Sequence, residues 1–147
     1  EILLGLVGSE MCIRDRVRPD NKTEKFSHEL IHRDVKKMLT TMKVMDYQIV
    51  VITDGGKGAY AYDGQKFYFC PVFPSPVIST LGAGDAFAST FCAALERTKL
   101  NVGLSLMYAS VNSSSVVSEF GATEGLATFE QIEEKLKNNP DYTYLEG

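Results

Sequence analysis

Near its middle the chain reads Ile78-Ser79-Thr80-Leu81-Gly82-Ala83-Gly84-Asp85-Ala86-Phe87, a stretch that passes from an apolar, β-branched run through two glycines into a helical pattern. Four residues share the spacing of one buried helix face: Phe87, Phe91, Ala94 and Leu95. This spacing predicts a helix from Ala86. A glycine-rich turn that opens a helix leaves backbone N–H groups unpaired beside the positive end of the helix dipole. The turn is therefore predicted to bind an anion.

Asp85 stands among these amides, where a carboxylate would weaken a site that only holds phosphate. Phosphoryl transfer to an alcohol explains the combination, because the γ-phosphoryl oxygens need donors and the attacking hydroxyl needs a base. Asp85 is the candidate general base, and the amides of Gly82, Ala83 and Gly84 are the candidate anion hole. The alternative is that Asp85 only caps its own helix, since aspartate is favoured in first turns.

The same turn resembles the G-A-G-D signature of the ribokinase-like (PfkB) family of sugar and nucleoside kinases. The usual family form is D-T-T-G-A-G-D, and residues 79–85 read S-T-L-G-A-G-D, so the glycines and the aspartate match. Many relatives bind a monovalent cation with the D-T-T segment and a later glycine loop. Because Ser79 replaces the aspartate, a K⁺ site of that type is not expected.

The composition is ordinary for a soluble globular protein, with 44% hydrophobic and 23% charged residues. A chain of 147 residues can bury one core but not two full domains. The net charge of -4 and the lack of basic runs argue against a nucleic-acid or membrane partner. Cys12, Cys70 and Cys92 lack metal-like spacing and are odd in number, which favours a reducing cytoplasm, and Cys92 is predicted in the core.

The first sixteen residues are interpreted separately. Residues 5–16, GLVGSEMCIRDR, resemble a translated sequencing adaptor. Residues 1–9 lack the basic flank and the small-residue cleavage site of a signal peptide. We therefore expect residues 1–16 to be non-native and residues 17–147 to be a partial PfkB-type kinase domain, the ATP-binding and catalytic half, truncated upstream.

Asn21 and Glu24 lie three residues apart, ahead of a predicted helix over residues 29–45. Taken alone, they indicate a helix N-cap and a solvated charge. The ribokinase-like family, however, has an N-x-x-E element near its Mg²⁺–phosphate cluster. The resemblance implies that Glu24, with Asn21, orders water around Mg²⁺, which often keeps several waters in protein sites.

Residues 48–53 form a continuous β-branched run that is typical of a strand buried on both faces. The glycine-rich turn after it is not a P-loop, because G-x-x-x-x-G-K-[ST] is absent. The family places T-x-G-x-x-G here, beside the ATP phosphates and ribose, and Thr53, Gly55 and Gly58 occupy those positions. Glycine suits such a turn, since backbone approaches a nucleotide closely only without a Cβ. Lys57 is predicted to be solvated.

Downstream, Asp63-Gly64-Gln65 predicts a β-hairpin, and a proline-rich connection leads into an extended segment at residues 77–78. A second helix over residues 102–120 is rich in serine, which allows close approach to a neighbouring helix or to adenine. The family often has an asparagine here near the base; Ser110 takes that position and Asn112 lies two residues away, and the choice between them stays open. Gly121 resembles the family loop that closes the nucleotide pocket.

The last predicted helix, residues 129–136, opens with a Thr128–Gln131 capping box, and the tail beyond it is expected to be loosely held. Strand, hairpin, strand and three helices indicate an α/β fold. The resemblance implies the C-terminal part of a ribokinase-like three-layer (Rossmann-like) fold, mostly parallel with a β-hairpin.

The function implied is phosphoryl transfer from ATP, with Mg²⁺, to an alcohol of a small sugar or nucleoside, by a cytoplasmic protein that is a homodimer at full length. This chain alone is expected to be nearly inactive. The alternatives are a vitamin kinase of the hydroxymethylpyrimidine type and a nucleotide-binding module without catalysis, which would be expected to lose Asp85. A Rossmann dehydrogenase is disfavoured because no G-x-G-x-x-G follows a first strand.

Overall fold

A computed structural model describes residues 4–7, 28–43 and 47–147. The helices are α1 (His28–Lys43), α2 (Ala83–Arg97), α3 (Val102–Val117) and α4 (Phe129–Lys137). The strands are β1 (Leu4–Val7), β2 (Ile49–Thr53), β3 (Ala59–Tyr62), β4 (Phe67–Cys70) and β5 (Leu145–Glu146). A 3₁₀ turn, Gly55–Lys57, joins β2 to β3.

The five strands form one sheet in the order β1-β2-β3-β4-β5. Only β1 and β2 are parallel; the other three pairs are antiparallel. The prediction of a mostly parallel sheet is therefore wrong for the residues that the structure describes. The physical reason is that β2, β3 and β4 are joined by short turns, which connect antiparallel neighbours, whereas parallel strands need a long crossover.

Helices cover both faces of the sheet, because alternate residues of β2 point in opposite directions. Val50 and Ile52 pack with Leu39 of α1. Ile49 and Val51 belong to the cluster on the other face, which includes Phe91 of α2 together with residues of α3. The predicted burial of β2 on both faces is confirmed, and the layers follow in the order α1, sheet, α2 and α3.

Helix α2 buries the predicted face: Phe87, Phe91, Ala94 and Leu95. The helix begins at Ala83 rather than at Ala86, so the whole glycine turn lies at its first residues. Cys92 is exposed, and its predicted place in the core is wrong. One residue beyond Phe91 is a rotation of about 100° around the helix, which carries the thiol out of the buried face.

The segment between β4 and α2 contains no strand, contrary to the prediction for residues 77–78. Val77 and Ile78 are 69% and 50% exposed. The amides of Ile78 and Ser79 instead donate to the carbonyl of Val117, at the end of α3, at 2.7 and 3.1 Å. Prolines in this connection cannot donate to a strand ladder, which favours the irregular path.

The tail after α4 is packed, so the prediction of a loosely held tail is wrong. Strand β5 pairs with β4, and the ring of Tyr144 lies directly against the Cα of Gly103 on α3. Strand β1 falls within residues 1–16 and pairs with β2; the interpretation of that segment as non-native stays a prediction. None of the helices in the described ranges is long and apolar enough to cross a membrane.

Candidate active site

The glycine turn forms the N-terminus of α2. Gly82 is the N-cap residue, with φ of 79°, and its carbonyl accepts the first helical hydrogen bond from the amide of Ala86 at 2.9 Å. The Ala83 amide donates to the Thr80 carbonyl at 3.3 Å. Within the described part of the chain, the amides of Gly82, Gly84 and Asp85 have no acceptor. Two of the three amides predicted for the anion hole, those of Gly82 and Gly84, therefore have no acceptor. The structure adds the amide of Asp85, which was not among those predicted for the anion hole.

Asp85 is exposed and lies at the third residue of α2. No side chain makes a capping hydrogen bond at this helix N-terminus, but Asp85 lies in the first turn, where a negative charge interacts favourably with the helix dipole. The alternative that Asp85 only stabilises its own helix therefore stays open. A Cβ added at Gly84 would meet no atom within 4 Å. Because Asp85 is exposed, its side chain does not lie in packed hydrocarbon, and the amides of Gly84 and Asp85 at the same helix N-terminus have no acceptor in the described ranges.

The loop after α3 lies against this turn. A Cβ added at Gly82 would be 2.9 Å from the Cα of Ala122 and would overlap the Ala122 carbonyl oxygen. Gly121 has φ of 117°, and the carboxylate of Glu124 covers its Cα. The structure thus brings the predicted anion hole next to the predicted nucleotide loop, through backbone contact.

Both side chains proposed to lie near the base are buried and bonded within the protein. Ser110 is 6% exposed; its hydroxyl donates to the Pro71 carbonyl at 3.2 Å and accepts from the Phe73 amide at 3.0 Å. Asn112, also 6% exposed, donates to the Thr90 hydroxyl at 2.7 Å and accepts from the Ala127 amide at 2.8 Å. Asn112 therefore bridges α2, α3 and the segment before α4.

The Thr53–Gly58 turn closes by backbone hydrogen bonds. Asp54 donates to the Gly58 carbonyl at 2.8 Å, and Lys57 donates to the Asp54 carbonyl at 2.9 Å. Gly55 and Gly58 have φ of 48° and 126°, values that favour glycine. The Lys57 side chain is 59% exposed and 3.5 Å from the Asp54 carboxylate, in agreement with its predicted solvation.

Two groups beside this turn, the Tyr60 hydroxyl and the Cys70 thiol, are neutral at physiological pH. Burial raises the pKa of the Tyr60 hydroxyl, and the charge of Asp54 raises it further. Burial raises the pKa of the Cys70 thiol to about 11, against a smaller lowering by its hydrogen bond to Tyr142. Neither group is therefore suited to remove a proton from an alcohol near pH 7.

The described residues contain no group of three or more His, Cys, Asp and Glu side chains that could hold a metal ion. Asn21 and Glu24, predicted on the metal side, lie outside the residues that the structure describes. A surface cavity of about 250 Å³ begins at Ser89, one helical turn after Asp85, and extends between Asn112 and Phe129. Its polar side chains Thr90 and Asn112 already bond to each other.

Comparisons with known proteins show the family of the chain. The family model of pfkB family carbohydrate kinases matches residues 21–128. The 5-dehydro-2-deoxygluconokinase of Bacillus subtilis (strain 168) is 36% identical over 90 residues, which are 60% of this chain and 27% of that protein. The chain thus spans about a quarter of that curated relative.

Solved structures show the fold. The ribokinase of Thermotoga maritima superposes with a TM-score of 0.64 at 24% identity, over 71% of this chain and 35% of that one. A protein assigned as ribokinase II from E. coli, in complex with ATP and Mg²⁺, superposes with a TM-score of 0.62 at 21% identity, over 73% and 33%. These likenesses confirm a partial α/β ribokinase-like fold, and the family match over most of the chain settles its relationship: the chain belongs to the pfkB family of carbohydrate kinases.

Proposed function

We propose that the complete protein containing this chain transfers the γ-phosphoryl group of ATP to a hydroxyl of a small sugar or nucleoside. The observation that carries the proposal is the exposed Asp85 carboxylate beside unpaired amides of the Gly82–Asp85 turn. The sugar-kinase names of the relatives support the reaction class.

In this proposal Asp85 accepts the proton of the acceptor hydroxyl while that oxygen attacks the γ-phosphorus. The bond from the γ-phosphorus to the β–γ bridging oxygen breaks, and ADP leaves. The amides of Gly82 and Gly84 donate to the phosphoryl oxygens as charge develops, with the helix dipole adding to the stabilisation. The Ala83 amide already has an acceptor at 3.3 Å, so it is a weaker candidate donor to the phosphoryl oxygens. Ala83 contributes mainly as the first residue of α2.

We propose that backbone atoms form the side of the site that binds the nucleotide. The turn of Thr53, Gly55 and Gly58 and the loop at Gly121 offer close approach to ATP where no Cβ intervenes. Ser110 and Asn112 are proposed to support this side of the site without contacting the nucleotide through their polar atoms, because those atoms are already hydrogen-bonded within the protein. Open space at Gly84 leaves room for a phosphate group.

Mg²⁺ is proposed because a structural relative is in complex with ATP and Mg²⁺. The described residues hold no acidic cluster for it, so no step is assigned to the metal. The indirect role of Glu24 and Asn21, a cytoplasmic location, a homodimer and independence from a monovalent cation all stay predictions.

The decisive test is an ADP-release assay on the complete protein with a panel of acceptors. The panel contains ribose, fructose, 5-dehydro-2-deoxygluconate, nucleosides and hydroxymethylpyrimidine, and direct detection of the phosphorylated product confirms transfer. A sugar or nucleoside accepted in preference to the pyrimidine supports the proposal. ATP binding with no acceptor phosphorylated would favour a nucleotide-binding module without catalysis.

The role of Asp85 is tested with Asp85→Asn, with Glu96→Gln as the matched control because Glu96 is an exposed acid on the same helix. Asp85→Asn should lower kcat by about 10²–10⁴, with little change in ATP affinity, since it removes only the base. Glu96→Gln should leave kcat unchanged. Similar turnover by Asp85→Asn and the unsubstituted protein would remove Asp85 from this role.

A further inference from the structure

Tyr142 follows α4 and lies beyond the residues that the family model matches. Its hydroxyl donates to the carbonyl of Pro71 at 2.7 Å and lies 3.1 Å from the thiol sulfur of Cys70. Its ring meets that of Phe73 edge to face, with 5.0 Å between ring centroids. A residue of the tail thus reaches the start of the connection between β4 and α2.

The start of that connection, residues 71–73, pairs with no strand among the described residues, and side chains hold it. The Pro71 carbonyl also accepts from the Ser110 hydroxyl at 3.2 Å, which in turn accepts from the Phe73 amide at 3.0 Å. The Ser114 hydroxyl donates to the Phe73 carbonyl at 2.9 Å. Proline has no backbone N–H, so the carbonyl of Pro71 is the only backbone group of this residue that can form a hydrogen bond.

Gly58, at the end of the Thr53–Gly58 turn, packs on the Cys70–Pro71 peptide. A Cβ at Gly58 would overlap the Cys70 carbonyl oxygen and lie 3.0 Å from the Cα of Pro71. Two residues proposed for the nucleotide side therefore meet at Pro71: Gly58 packs on the Cys70–Pro71 peptide, and Ser110 bonds to the Pro71 carbonyl in the next peptide. Tyr142 donates to the same Pro71 carbonyl.

We infer that Tyr142 is a positioning residue for the nucleotide side of the site, acting through Pro71 on Gly58 and Ser110. The inference rests on the proposed function, since a fixed position of the Thr53–Gly58 turn matters for affinity only if that turn binds ATP. Loss of the hydroxyl would remove the shortest of the three hydrogen bonds to the Pro71 carbonyl and leave the Ser110 hydroxyl at 3.2 Å and the Cys70 thiol at 3.6 Å. Pro71 would then shift more freely, and Gly58, which packs on it, would shift too.

The hydroxyl keeps its proton under assay conditions. Burial raises the pKa of Tyr142, and the neighbouring Cys70 raises it further. The group is therefore a neutral donor across the pH range of a kinase assay, and its removal changes hydrogen bonding and not charge.

The test compares Tyr142→Phe with Tyr144→Phe in the complete protein. Both changes remove one phenolic hydroxyl from the tail, but the Tyr144 hydroxyl has no hydrogen-bond partner among the described residues, whereas its ring packs on Gly103. ATP affinity is measured by calorimetry and steady-state kinetics, and amide exchange is followed at Gly58 and Phe73.

Tyr142→Phe should raise the Kd and KM for ATP about threefold to tenfold, the loss expected for one buried hydrogen bond, with kcat and the acceptor KM within about twofold. Exchange at Gly58 and Phe73 should accelerate, and Tyr144→Phe should match the unsubstituted protein in every readout. An unchanged ATP Kd in Tyr142→Phe, or an equal loss in Tyr144→Phe, would overturn the inference alone. Absence of ATP binding by the unsubstituted protein would overturn the proposed function, and this inference with it.

Discussion

The hydroxyl of Ser113 donates a hydrogen bond of 3.0 Å to the carbonyl of Ala83, and this bond ties α3 to the first residue of α2. A serine can do this because its side chain is short enough for the two helices to approach closely. Of the two uses expected for the serines of α3, close approach to a neighbouring helix is therefore the one that the structure shows. The bond also anchors the turn on which Asp85 stands.

Gly82→Ala should destabilise the protein, whereas Gly84→Ala should not. Gly82 has φ of 79°, and an added methyl would overlap the backbone of Ala122, so a loss of about 1–3 kcal/mol in the free energy of unfolding is expected. Gly84 lies in the helix with open space beside its Cα, where alanine is favoured by up to about 1 kcal/mol.

Denaturant unfolding of the two variants measures this difference, and the kinase assay adds a second readout. Gly84→Ala should lower kcat despite its intact stability, because its methyl would occupy the space proposed for phosphoryl oxygens. Equal stability of the two variants would contradict the close contact between Gly82 and Ala122.

Asn112→Ala should act mainly on stability. Its side chain bonds to Thr90 and to the Ala127 amide, so removing it leaves two partly or fully buried groups without partners. A loss of about 1–3 kcal/mol is expected for leaving a buried group unsatisfied. The matched control is Asn139→Ala, since the Asn139 side chain is exposed and makes one bond to the Lys135 carbonyl.

Calorimetry of ATP binding and chemical denaturation separate the two roles considered for Asn112. We expect the unfolding free energy to fall while the ATP Kd changes less than about threefold, which corresponds to well under 1 kcal/mol. A large loss of ATP affinity with normal stability would instead indicate direct contact with the base.

Local signals in the sequence predicted much of this fold. The continuous β-branched run located β2, and the Thr128–Gln131 capping box is present with both of its hydrogen bonds. The predicted hairpin is confirmed, and the structure pairs Tyr62 with Phe67. Each of these features is set by residues close together in the chain, which is why pattern and spacing suffice.

Features that depend on distant residues were not predictable in the same way. The packing of Tyr142 on Pro71 joins residues far apart in sequence, and no local pattern marks it. Residues 77–78 have strand-like composition, but the Ile78 amide donates to the Val117 carbonyl and not to a strand of the sheet. The start of α2 was placed too late because glycine is a poor helix former, whereas here tertiary contacts with Ala122 and Ser113 hold the turn.

Asp63 should make stability depend on pH. Burial would raise the pKa of its carboxyl, but hydrogen bonds from the amides of Lys66 and Gln65 and from the Tyr68 hydroxyl lower it overall. A lowered folded-state pKa contributes stability above the unfolded value of about 3.9, and this stability is lost as the pH falls through the folded value. Asp63→Asn should therefore cost stability at pH 7, and the cost should shrink below about pH 4.

Unfolding free energies of the unsubstituted protein and Asp63→Asn at pH 7 and about pH 3 test this expectation. Asp141→Asn serves as the control, because the Asp141 carboxylate is exposed and has no hydrogen-bond or ion-pair partner in the described ranges. A cost for Asp63→Asn that is the same at both pH values would show that the carboxylate charge contributes nothing.

The contact of Gly82 with Ala122 leaves no room for even a methyl group between the turn and the loop. Because the two backbones are in contact, we expect a ligand that displaces residue 122 to displace the amides at the N-terminus of α2 as well. Occupancy at the two places would then be thermodynamically linked, and by reciprocity each ligand would change the affinity for the other by the same factor. A non-reacting anion that mimics the transferred group should therefore change the affinity for ADP, and ADP should change the affinity for that anion to the same extent.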